Sequence, residues 1–117
     1  MKKIQQEALY TPFLYDQRTS RSMAAAHYHN WYEIYYLVKG TRRYFIETDV
    51  YDLEEGDLVL VPEKVAHQTL HQPETDPTEN HIRYLFSPKK EDIPTAFLPL
   101  FEKHHFRPSP AIRQQIH

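Results

Sequence analysis

The chain has 117 residues, 40% hydrophobic and 26% charged, which is enough for one globular domain with its own core. Its formal net charge is −2 with no basic stripe, so this segment alone is a poor candidate for gripping nucleic acid. Without cysteine it can form no disulfide, thiolate metal site or thiol nucleophile, which fits a reducing, cytoplasmic setting; no signal-type apolar region or membrane-length run is present.

Residues 1–7 are polar and read as a loose arm. From Ala8 to Tyr15 the chain is apolar and aromatic around Pro12, which suits an edge strand or an arm lying over a sheet. Residues 16–22 are polar, a turn or a second edge strand, so 1–22 is expected to form an N-terminal arm with edge strands. Next come His27 and His29. In a strand, residues i and i+2 share a face, so these imidazoles would project together, roughly 6 to 7 Å apart. Glu33 follows at an even offset from both. Ile34 to Val38 has no polar residue on either face except the tyrosine hydroxyls, and it reads as a strand buried on both sides. A polar trio at the mouth of such a strand is where chemistry or recognition would sit.

After Gly40, Arg42 to Thr48 alternates and is predicted to pair with Glu33–Val38 through a tight turn, leaving Arg42 and Arg43 at a solvated tip. Asp49 to Leu53 is a short strand or turn, and Glu54 to Asp57 a compact turn. Leu58 to Val61 is a second strand buried on both faces, closed by Pro62. His67 to His71 alternates again, residues 72–80 form an exposed acidic loop, and His81 to Phe86 is the last clear strand. Beyond Pro88, Ile93, Phe97, Leu98, Leu100 and Phe101 have helix-like spacings interrupted by Pro99, which predicts short turns within a helical tail over 89–117. Many short strands followed by such a tail argue for a β-sandwich or barrel, here over residues 23–88. The apolar face of Ile34, Tyr36 and Val38 needs cover from arm, helix or partner subunit, so a homodimer is expected.

The spacing of His27, His29, Glu33 and Gly40, followed by Gly56, Pro62 and His67, resembles the two motifs of the cupin superfamily at seven positions. Lys64 and His71 stand where the second motif has glycine and asparagine. The resemblance spans residues 23–86 and implies a mostly β fold: the cupin double-stranded β-helix (jelly-roll) barrel, here with a short C-terminal helical tail. In metal-binding cupins, positions corresponding to His27, His29, Glu33 and His67 ligate a divalent ion. The resemblance therefore implies Zn, Ni, Mn or Fe as cofactor. The alternative is a dense hydrogen-bond network, because buried polar groups left without partner or ion cost about 1 to 3 kcal/mol each.

More narrowly, His-x-His-x-x-Tyr-Glu-Ile-x-Tyr-x-x-x-Gly at 27–40 and Gly-Asp-Leu-Val-Leu-Val-Pro-x-x-x-x-His at 56–67 are similar to the N-terminal sensing domain of AraC-type transcription regulators. That resemblance implies a small effector bound in the barrel and a homodimer. It also implies DNA contact only through helix-turn-helix units of a C-terminal domain that this chain does not contain. Tyr35, Tyr44, His27, His67 and Phe13 are the candidate effector contacts; no catalytic residue is identified. Two other readings stand beside the sensor. One is a stand-alone metal-dependent cupin enzyme of dioxygenase or isomerase type, and the other a storage or structural cupin without ligand.

Overall fold

The computed structural model describes residues 5–6, 13–19, 26–70, 72 and 80–108, with the backbone alone for 5–6, 13–19 and 27. The described strands form two five-stranded sheets. One sheet runs β1 (Gln5–Gln6), β3 (His27–Tyr28), β8 (His67–Leu70), β5 (Arg42–Ile46) and β6 (Asp49–Leu53). The other runs β10 (His105–Phe106), β7 (Leu58–Val61), β4 (Glu33–Lys39), β9 (Asn80–Phe86) and β2 (Phe13–Thr19). All neighbours are antiparallel except β1 and β3. The layers enclose Tyr35 and Leu37 of β4, Tyr44 and Ile46 of β5, Leu53 of β6, and Val59 and Val61 of β7.

The expected mostly β architecture is present, but the described strands do not close into a barrel. β1 and β10, each ending one sheet, have only two residues and offer too few backbone groups to stitch the layers together.

The hairpin expected between β4 and β5 is absent. β4 bonds to β7 and β9, whereas β5 bonds to β6 and β8, so the chain crosses from one layer to the other at Gly40. Gly40 has φ +96°, and a Cβ there would meet the Cβ of His81 at 3.0 Å, so only glycine makes this crossing without strain. Because β5 starts just after the crossing, its two-residue period sends Arg42 inward with Tyr44 and Ile46. Arg42 is 1% exposed and donates to Thr69 Oγ1 at 3.1 Å; it does not occupy a solvated tip. Arg43 does face outward, paired with Asp52 at 2.7 Å.

A second apolar cluster lies on the other side of β4. Tyr32, Leu60 and Phe101 form its centre, with Ile34, Leu58, Ile93, Leu98 and Phe106 packed around them. The tail supplies much of this cover. Its prolines break it into two 3-10 turns, Lys90–Asp92 and Thr95–Phe97, then α1 (Leu100–Lys103) and β10. Ile34 is therefore covered by its own chain, the role the sequence also left open to a partner subunit.

The tail is fastened through Asp57, which is fully buried. Its carboxylate accepts from Arg107 at 2.8 and 2.9 Å, from His105 at 2.9 Å and from the Glu54 backbone N–H at 3.1 Å. Burial pushes the Asp57 pKa up, but these donors outweigh it and hold the carboxyl below its ordinary range.

Candidate metal centre

Glu33 opens β4, and the strand's alternation points Glu33, Tyr35 and Leu37 into the space between the sheets. His29 lies just before β4 and is 1% exposed. Its Nδ1–H donates to the Trp31 carbonyl at 2.9 Å, and its ring lies flat on the Trp31 indole, 4.7 Å between centroids and 5° from parallel. The His29 backbone is anchored as well, its carbonyl accepting the Lys64 N–H at 2.7 Å. Lys64 has φ +62°, the left-handed conformation that the glycine of the cupin motif would adopt freely.

His67 opens β8, wedged between β3 and β5, and is 2% exposed. Its Nδ1–H donates to the Val65 carbonyl at 3.0 Å. The two imidazoles meet edge to face at 4.9 Å. Both Nε2 atoms face one Glu33 oxygen: Oε1 is 3.2 Å from His29 and 3.5 Å from His67. The other oxygen, Oε2, accepts the Tyr44 hydroxyl. Three ligand atoms, one each from His29, Glu33 and His67, lie within 4.8 Å of one another, all buried.

Burial pushes the Glu33 pKa up, but the neighbouring His67 and His29 outweigh it and hold the carboxyl well below the ordinary carboxylate range. Burial, the Glu33 charge and the bond to it push the Tyr44 phenol well above the ordinary tyrosine range. The tautomers decide what the site needs. With both Nδ1 positions committed as donors, a neutral ring presents only a lone pair at Nε2. Two such lone pairs against a carboxylate oxygen repel unless a cation lies among them. A proton on Nε2 is one such cation. A divalent ion is the other, and two imidazoles held by backbone carbonyls with one carboxylate are a suitable donor set for it.

Residues 18–80, just over half of the chain, match the family described as Cupin domain. The chain is a cupin. Among solved structures it is similar to a cupin protein from Bacteroides fragilis, with TM-score 0.59 and 14% identity over 70% of this chain and 68% of that one. It is also similar to KdgF from Halomonas sp., with TM-score 0.52 and 24% identity over 72% and 78%. A variant of oxalate decarboxylase from Bacillus subtilis aligns with TM-score 0.54 and 21% identity, over 68% of this chain but 21% of that one. At these identities the likeness establishes the fold alone. No curated protein matches the sequence significantly. Among the described residues, no helix is long and apolar enough to cross a membrane.

The cupin brings together three of the four ligands expected from its motifs. The fourth, His27, has its backbone opposite His67 in the β3–β8 register, but its side chain lies outside the described residues. Of the expected effector contacts, His67 and Tyr44 stand at the triad. Tyr35 lies in the core, its ring edge-on to Tyr44 at 5.3 Å with the Arg83 guanidinium 5.9 Å above it. The backbone of Phe13 pairs with Phe86, and its side chain is also outside the described residues, as is all of His71. Sequence reasoning missed two supports of the site. Trp31, the single tryptophan of the chain, carries the His29 ring and, through its backbone carbonyl, accepts the hydrogen bond from its Nδ1–H. Its place two residues after His29 was the available signal. Tyr44, read as an effector contact, gives its hydroxyl to Glu33, and nothing local in the sequence joins two residues eleven apart on different sheets.

Proposed function

We propose that this cupin binds a divalent metal ion through His29, Glu33 and His67, with His27 as a fourth ligand, and acts as the sensing domain of an AraC-type transcription regulator. The observation that carries the reading is the Glu33 oxygen facing two Nε2 atoms whose rings have already spent their Nδ1–H groups. When bound, the ion supplies a Lewis-acidic centre for an oxygen or nitrogen of a small effector. The chain's residues do the rest: Tyr35 and Tyr44 wall the triad, and Trp31 and Val65 hold the two rings in the ligating tautomer. Support for the sensor comes from the wording at 27–40 and 56–67 and from Tyr44, whose high-pKa phenol is committed to Glu33 and is a poor general base. Effector binding would shift a pre-existing equilibrium by its differential affinity, in a cytoplasmic homodimer that reaches DNA through a further domain.

Elemental analysis of protein purified without chelator tests the metal. Near-stoichiometric ion, and a melting temperature that rises on metal addition, are expected; the absence of both would sink the ligand assignment. The reading frame beyond codon 117 tests the sensor: helix-turn-helix units are expected, and an immediate stop codon would favour the second reading. That reading is a metal-dependent enzyme, and the fold shared with oxalate decarboxylase is what favours it.

A further inference from the structure

We infer that Tyr44 is a positioning residue for the ion, holding one Glu33 oxygen so that the carboxylate can offer the metal only the other. The inference rests on the metal reading above. Glu33 Oε2 accepts the Tyr44 hydroxyl, while Oε1 alone faces both Nε2 atoms. The hydroxyl donates to this oxygen, which is therefore already occupied. The donor is also fixed in place. Tyr44 is fully buried, its ring lies 14° from parallel with His67 at 6.1 Å, and Tyr35 meets it edge-on. The bond spans the two sheets, from β5 to β4, so its two ends are anchored on different layers. A carboxylate that chelates through two oxygens fills two coordination positions; one restricted to a single oxygen leaves a position for an exogenous ligand. Tyr44 thereby keeps the ion open to an effector without touching it.

The test uses Co²⁺ as probe and the full chain carrying Tyr44→Phe. Affinity is followed through Trp31 fluorescence, and coordination number through the visible absorption of the bound cobalt. Loss of the orienting hydroxyl is expected to weaken Co²⁺ binding about 10- to 100-fold. It also frees the second oxygen, raising the coordination number and weakening the cobalt band. A variant with the wild-type cobalt band overturns the inference; a lower melting temperature with that band unchanged marks Tyr44 as a packing residue only. If the wild-type protein takes up no Co²⁺, the metal reading itself fails, and that outcome is distinct from the previous one. Should the variant not fold, a crystal structure of the cobalt-loaded wild-type protein decides. One Glu33 oxygen on the ion and the other on Tyr44 is expected, and chelation through both overturns the inference.

Discussion

Glu33, on β4, and Asp57, in the turn before β7, are both buried carboxylates facing imidazole nitrogens, yet they are satisfied in opposite ways. Asp57 has donors that carry their protons permanently, the Arg107 guanidinium and a backbone N–H, with the His105 Nε2 beside them. Glu33 has one permanent donor, the Tyr44 hydroxyl, and two nitrogens that donate only when protonated. Among the described residues no lysine or arginine pairs with it. The first site is a finished joint between turn and tail. The second is complete only when a cation is added. Buried charge alone does not mark a functional site; the nature of its partners does.

The largest effect that separates the two is expected from Glu33→Gln. Removing the one anionic ligand should reduce metal affinity more than about 100-fold, measured by titration against Trp31 fluorescence. The metal-free protein should melt no lower than wild type, because the amide nitrogen can donate to an Nε2 while its oxygen still accepts from Tyr44. A clear fall in melting temperature would show that Glu33 is a joint of the Asp57 kind.

Asp57→Asn should do the reverse. It should cost about 2 kcal/mol, a drop of roughly 8 °C in melting temperature, and leave metal affinity unchanged. Acid unfolding sharpens the contrast. The folded pKa of Asp57 is depressed, so its contribution is fully present above the ordinary carboxylate pKa of about 3.9 and is lost as pH falls through the lower folded value. Denaturant titrations from about pH 5 downward should therefore show a shallower acid loss for Asp57→Asn than for wild type. Arg107→Ala should have the smallest effect, about 1 kcal/mol, because the arginine side chain is 45% exposed and solvent screens its charge; chemical denaturation measures it.

The parts of this molecule that were legible in the sequence are those encoded by local spacing. His29 and Glu33 lie four residues apart, His67 closes the second motif, and the apolar runs of β4 and β7 announce strands covered on both faces. What escaped depends on which strands become neighbours. Consecutive strands usually pair, so β4 and β5 read as a hairpin; the crossing at Gly40 instead put them in different layers and carried Arg42 inside. The bond from Arg107 to Asp57 joins residues fifty apart, with no periodicity to announce it. Lys64 hid a left-handed turn behind a residue that seldom takes one.

Glu33 and Ile34 are consecutive on β4, one turned toward the histidines and the other seated against the Tyr32–Leu60–Phe101 cluster that the tail helps to build. The polar chemistry of one face and the apolar seat of the other are thus a single peptide unit apart. Any tug on the acidic side chain that shifts its backbone reaches the tail's footing through rigid covalent bonds, with no relay of side chains in between.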